Sequence, residues 1–229
     1  SANWMWPANN IGENNRLYTA VKACSDFCIE LGINVPTGKD SMSMKQKYKT
    51  GEVLSPGTVI ISATAEVSDV SKCVEPFFKK FNSNIYYIDM SSCVLNLGGS
   101  ALMQSNNKIG NKSNDILNAK YFKKVFNVIQ KLITDEKIYS GHDVSSGGLI
   151  TTILEMSFVS SGIGLELFLN EFDDNDLIKI LFAENHALVL EAEKTIESHL
   201  IDNDIKFLIW HRKKQVVVQE MEEILLEDV

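Results

Sequence analysis

Ile138-Tyr139-Ser140-Gly141-His142-Asp143-Val144-Ser145-Ser146-Gly147-Gly148-Leu149-Ile150 is the stretch whose reading decides the fold. A strand-like run ends in a polar turn with two glycines, and Leu149, Ile150, Ile153, Leu154, Ser157 and Phe158 follow at helical spacing. A strand that turns tightly into an amphipathic helix is a building unit of mixed α/β chains. The first turn of such a helix carries unpaired N–H groups at the positive end of its dipole. Gly147 and Gly148 have no side chains, so a phosphate can come close to those groups. Ser145 can donate its hydroxyl to a phosphate. Asp143 stands where a carboxylate can hold Mg2+ against phosphate oxygens, and His142 can hydrogen-bond a phosphate or a substrate. The competing reading is a capped helix, with Ser145 or Ser146 as N-cap and glycines that admit close helix–strand packing.

Outward from this turn, strands and helices alternate. Residues 1–8 read as an extended segment, and the spacing of Leu17, Ala20, Val21, Cys24, Phe27, Cys28 and Leu31 before Gly32 predicts a helix over 14–31. Lys39 to Met44 alternates like a half-buried strand, 45–56 reads as a polar turn region, and the β-branched run 58–67 as a strand. Pro76 interrupts any helix over 69–80. Further on, the patterns predict a strand over 85–90, a helix over 114–134, a strand over 163–169 and a short helix over 173–181. A strand over 186–191 and a helix over 194–201 follow, with possible strands at 205–210 and 216–218 and an acidic tail over 220–229. The polar stretch Phe81-Asn82-Ser83-Asn84 is the expected lobe boundary, giving residues 1–82 and 83–229.

The 229 residues carry 30 Asp and Glu against 22 Lys and Arg, a formal charge of -8. That balance argues against broad binding to nucleic acid or an anionic membrane surface, though not against a local phosphate site. No stretch approaches the ~18 apolar residues of a membrane span. The first residues have no basic segment followed by an apolar core, so they read as no signal peptide, and a start at Ser1 reads as a piece of a longer chain. Cys24, Cys28, Cys73 and Cys93 form no CxxC pair and suit a reducing compartment, the cytoplasm. Cys24 and Cys28 share a helix face with no nearby His to complete a metal set, so they read as small buried apolar residues.

A second polar cluster is Gly38-Lys39-Asp40-Ser41-Met42-Ser43-Met44. Lys39 is a point charge suited to phosphate and Asp40 suits a metal or a substrate hydroxyl; the competing reading is a solvated surface pair. Nothing matches G-x-x-x-x-G-K-[ST] or a G-x-S-x-G elbow, so P-loop and triad chemistry are set aside. Glu184, entering a strand in Leu181-Phe182-Ala183-Glu184-Asn185-His186, is a lesser candidate.

Several blocks together resemble the long, single-chain form of the phosphoribosylformylglycinamidine synthase family. They are Ser1-Ala2-Asn3-Trp4-Met5-Trp6, Gly12-Glu13, Ala20-Val21-Lys22-Ala23, Pro36 with Gly38-Lys39-Asp40-Ser41-Met42-Ser43-Met44, and Ser55-Pro56-Gly57 with Ile61-Ser62-Ala63. Asn96-Leu97-Gly98-Gly99-Ser100-Ala101-Leu102, His142 to Leu149, and Leu154-Glu155-Met156-Ser157-Phe158 continue the series, in order, over about residues 1–190. The resemblance implies an α/β (α+β) fold in two lobes like one half of aminoimidazole ribonucleotide synthetase, with the first lobe incomplete. It implies an ATP-dependent ligase of purine biosynthesis, a glutamine amidotransferase, using ATP and Mg2+ on formylglycinamide ribonucleotide. Carried over by motif, Asp143 looks like a metal ligand, Ser41, Ser145, Gly147 and Gly148 like nucleotide contacts, and Lys39, Asp40 and His142 like residues facing the reaction.

Ser146 stands where the family usually has Asp, which weakens a second carboxylate role there. The glutaminase domain and the first synthetase half are expected elsewhere in the parent polypeptide, so this piece alone is expected to lack glutamine-dependent activity. Two alternatives stay open: a non-catalytic half that holds an auxiliary nucleotide, and a stand-alone ATP-binding relative of the same superfamily.

Overall fold

Ala2-Asn3-Trp4-Met5 forms the first strand, β1 (Ala2–Met5), of the computed structural model, which describes residues 1–79, 83–159, 164–213 and 217–218. The chain divides into two compact units, Ser1–Ser68 and Asp69–Val229. The boundary expected over 81–84 falls partly on residues 80–82, which lie outside the described residues.

In the first unit, helix α1 (Glu13–Leu31) ends at Gly32, whose left-handed backbone lets the chain leave the helix. β1 sits between β2 (Gly38–Ser41), to which it is parallel, and the antiparallel β5 (Thr58–Ile61). The region over 45–56 is not a turn. It forms a hairpin of β3 (Lys45–Tyr48) and β4 (Gly51–Leu54), in which Lys45 reaches Glu52 at 3.6 Å. The hairpin is mostly exposed, so its charged residues hide a strand pattern that an apolar face would have revealed. The strand expected over 58–67 stops at Ile61, because its ladder ends where the Ser62 N–H bonds the Ser1 carbonyl. No residue of α1 is fully buried, and Cys24 and Cys28 are half-buried rather than core. They do share a face: burial, then the adjacent Cys28 thiol, pushes the Cys24 thiol up. Trp6 is buried, with the Arg16 guanidinium 5.8 Å from its ring centre.

The second unit is a six-stranded sheet in the order β11-β8-β10-β6-β9-β7, with helices on both faces. Its elements in chain order begin with β6 (Asn84–Asp89), α2 (Ala101–Ser105), α3 (Ala119–Thr134), β7 (Ile138–Asp143) and α4 (Gly148–Phe158). They continue with β8 (Gly164–Leu167), α5 (Leu177–Phe182), β9 (Ala187–Ala192), α6 (Ile196–Asp202), β10 (Phe207–Lys213) and β11 (Val217–Val218). All pairings in this sheet are antiparallel except β11 with β8. The tail over 220–229 lies outside the described residues.

Ile85-Tyr86-Tyr87-Ile88 of β6 is buried throughout, because the strand has helices above and below. Ile85 and Tyr87 face a core built with Leu149, Ile153 and Met156 of α4, while Tyr86 and Ile88 face one built with Val125, Ile129 and Leu132 of α3. The buried stripe of α4 is therefore Leu149, Thr152, Ile153 and Met156; Leu154 and Phe158, expected inside, are exposed. Helix α3 starts five residues later than expected because Asn118 Oδ1 accepts from the Tyr121 N–H and caps it there. The sequence reading leaves α2 as loop; Ser100 caps it through the Met103 N–H. No helix among the described residues is long and apolar enough to cross a membrane.

Burial pushes the Tyr86 phenol from 10.0 up to about 12 and raises Tyr87 as well. A phenol harder to ionise in the folded chain stabilises fully below the unfolded value of 10.0, and that stability is lost as pH rises toward about 12. The midpoint of urea unfolding should therefore fall across this window, and Tyr86→Phe should flatten the fall. A midpoint that holds constant there would contradict the burial argument.

Candidate functional site

Asp143 ends β7, and its side chain projects into solvent with 72% exposure. Val144 returns to the sheet through its N–H to the Ala187 carbonyl at 2.8 Å, which leaves Ser145 and Ser146 exposed at the outer corner of the turn. The N-cap of α4 is Gly147, not Ser145 or Ser146, and no side chain caps it in the usual way. Gly147 takes a left-handed φ of 90°, and a Cβ on Gly148 would stand 2.7 Å from the Leu181 oxygen and from the Phe182 backbone. The close packing in the capped-helix reading thus exists, but against the end of α5 rather than a strand.

The cap is supplied from another element. Glu184 Oε1 accepts the Gly147 N–H at 2.8 Å and also the Ala101 N–H at 2.8 Å. One carboxylate oxygen therefore holds the starts of α4 and α2. Next to it, the buried Asn185 donates its Nδ2 to the Cys93 carbonyl at 3.2 Å and lies 3.4 Å from the Val94 carbonyl and Ser91 Oγ. Ser91 in turn donates its N–H and hydroxyl to Asp89 Oδ1 at 2.9 and 2.8 Å. The glycine loop between these anchors is pinned by Gly98 N–H to the Lys112 carbonyl and Gly99 N–H to the Ile109 carbonyl, both 2.7 Å.

The His142 ring lies between two oxygen-bearing groups. Its Nδ1 is 2.7 Å from the Asp143 carbonyl and its Nε2 is 3.3 Å from Glu155 Oε2. His142 and Asp143 both border a largely apolar cavity of about 570 Å³, whose walls include Phe122, Phe126 and Ile129 of α3. Among the described residues, no three His, Cys, Asp or Glu side chains gather as a metal-holding group. The sequence pattern marks the Asp143–Gly148 turn but not Asn185. The one hint for Asn185 is an amide beside an acid where a helix hands over to an apolar strand.

Lys39, Asp40 and Ser41 belong to the first unit. Lys39 Nζ donates to Ser41 Oγ at 3.1 Å, so these two share one face of β2, while Asp40 alternates to the other. Lys39 and Asp40 are exposed and Ser41 is half-buried.

Known proteins share both units. Residues 1–66 match the FGAR-AT PurM_N-like domain, and residues 85–196 match the C-terminal domain of AIR synthase related proteins. The fold and its glycine turn thus define an AIR-synthase-related chain. Over 199 residues it is 41% identical to the Arabidopsis thaliana protein named probable phosphoribosylformylglycinamidine synthase, chloroplastic/mitochondrial. Over 215 residues it is 38% identical to the Dictyostelium discoideum phosphoribosylformylglycinamidine synthase. These alignments cover 85% and 88% of this chain but only 14% and 16% of the relatives. The chain belongs to the phosphoribosylformylglycinamidine synthase family.

Solved structures share the fold at low identity. Thermotoga maritima PurL complexed with FGAR superposes with a TM-score of 0.62 at 9% identity, over 100% of this chain and 41% of that one. The hydrogenase maturation protein HypE gives 0.56 at 13% identity, over 93% of this chain and 66% of that one.

Proposed function

We propose that this chain is a nucleotide-binding portion of an ATP-dependent ligase of de novo purine biosynthesis. The whole enzyme converts formylglycinamide ribonucleotide, glutamine, ATP and water to formylglycinamidine ribonucleotide, ADP, phosphate and glutamate. The observation that carries this reading is the identity of about 40% to proteins named for that synthase, sustained across both units. Those relatives are several times longer, so glutamine hydrolysis and the rest of the reaction belong to segments that act with this one.

The Asp143 turn suits the reading chemically. Its carboxylate is exposed at a strand end, beside the exposed Ser145 hydroxyl and the start of an eleven-residue helix. Mg2+ is a hard cation that commonly takes one or two protein carboxylates and completes its shell with phosphate oxygens and water. A single exposed carboxylate, with His142 Nδ1 3.5 Å from its Oδ1, fits that pattern, so Asp143 would be one ligand and the nucleotide would supply others. Bound there, the ion would neutralise phosphate charge. Ser145 would donate to a phosphate oxygen. His142, held between the Asp143 carbonyl and Glu155, would orient toward substrate or phosphate, and Lys39, Asp40 and Ser41 would serve as polar contacts on β2. The four cysteines, with no CxxC pair, suit a reducing compartment such as the cytoplasm.

Calorimetric titration of Mg·ATP into the chain tests the reading. Asp143→Asn should weaken binding at least about tenfold in the presence of Mg2+, since a charge-assisted ligand is lost. It should matter much less when Mg2+ is replaced by EDTA. Equal affinity of the wild-type and Asp143→Asn chains for Mg·ATP would sink the metal role.

A further inference from the structure

Glu184 contributes nothing to the roles given above, yet the geometry gives it a distinctive position. It stands just after α5 and just before β9, and it is half-buried. A single oxygen, Oε1, receives two backbone N–H groups from residues 83 and 37 positions away. Both donors stand at helix starts whose turns carry paired glycines: Ala101 follows Gly98-Gly99-Ser100, and Gly147, with Gly148, closes the turn that begins at Asp143. The segment that carries Glu184 is itself seated firmly, because the Leu181–Phe182 backbone abuts the bare face of Gly148. The neighbouring Asn185 ties down the near end of the same 91–101 loop through the Cys93 carbonyl.

We infer that Glu184 is a positioning residue that locks the two glycine loops to each other. This rests on the reading of the Asp143 turn as a nucleotide site. Backbone N–H groups at the start of a helix have no partner within the helix. A carboxylate that takes one from each loop satisfies both and sets their separation. Carboxylate acceptors make stronger bonds than neutral ones, and one oxygen serving two donors makes the two loops depend on each other. The turn that presents Asp143 and Ser145 is thereby held before any ligand arrives, which lowers the ordering cost of binding.

The same geometry admits an opposite reading, in which the carboxylate is an internal anion that a phosphate must displace. The two differ in sign. A lock predicts that removing Glu184 weakens nucleotide binding; a plug predicts that it strengthens binding. The seating of Leu181–Phe182 on Gly148 favours the lock, because it fixes the backbone from which the carboxylate reaches both donors.

The test uses the full chain with Glu184→Ala, Glu184→Gln and Glu184→Asp, read by amide hydrogen exchange and by Mg·ATP titration. In Glu184→Ala, exchange at Ala101 and Gly147 should quicken together by about a hundredfold, as for amides released from a local bond. Mg·ATP affinity should fall at least about tenfold. Glu184→Gln keeps an acceptor oxygen and should stay within about threefold of wild type. Glu184→Asp, one methylene shorter, should fall between, and it keeps the test open if the alanine variant fails to fold.

Unchanged exchange at Ala101 and Gly147 would overturn the lock. So would Mg·ATP affinity that holds or rises in Glu184→Ala. Glutamine as damaging as alanine would overturn it too. If exchange responds as expected but the wild-type chain binds no Mg·ATP, the nucleotide reading falls and the coupling of the two loops by Glu184 still stands.

Discussion

Gly148→Ala should cost the second unit about 3 kcal/mol or more, because two separate penalties meet at one position. The residue has φ 74°, where an L side chain is strained. Its Cβ would also stand 2.7 Å from the Leu181 oxygen and the Phe182 backbone, which cannot yield as a flexible side chain would. Gly99→Ala separates the two effects. That glycine has a similar φ of 79°, but a Cβ there would meet nothing within 4 Å, so its cost should stay near about 1 kcal/mol. Urea unfolding followed by circular dichroism measures both. Similar losses in the two variants would mean that the α4–α5 contact relaxes easily and is not what requires glycine.

Glu191→Ala should have an effect of the same order, about 3 kcal/mol or more, by a different route. Glu191 is fully buried in β9 and gathers donors from three places: the Lys79 N–H at 2.6 Å, the Ser83 hydroxyl at 2.5 Å and the Ser140 hydroxyl at 3.0 Å. Alanine would leave the buried Ser83 and Ser140 hydroxyls without that acceptor and would open a void inside the sheet. Glu191→Gln keeps one acceptor oxygen and should lose least, while Glu191→Leu should fall between glutamine and alanine, because leucine fills the void but accepts no hydrogen bond. If leucine proved as stable as wild type, the carboxylate would have to be replaceable by apolar packing, as some buried charges are.

Much of the second unit was legible because burial on both faces writes a simple pattern. Ile85-Tyr86-Tyr87-Ile88 and Ala187-Leu188-Val189-Leu190 read as strands at once, and the amphipathic stripe of α3 read as a helix. The errors fell where burial is absent or one-sided. The hairpin over 45–54 alternates charged residues in solvent, so its polarity resembled a turn. The α4 stripe reads one step around the helix, because Ile150, Leu154 and Phe158 are as apolar as the residues that face the sheet.

Family membership came from the letters alone, and so did the proposal that the His142–Gly148 turn meets phosphate, because carboxylate, hydroxyl and paired glycines at fixed spacing are chemical identities that survive without coordinates. What only the folded chain decided is how that turn is held. A backbone N–H is present at almost every residue, so no letter marks Ala101 or Gly147 as a donor. Their meeting at Glu184 required β7 and β9 to pair and α5 to seat against α4, contacts between residues far apart in the sequence.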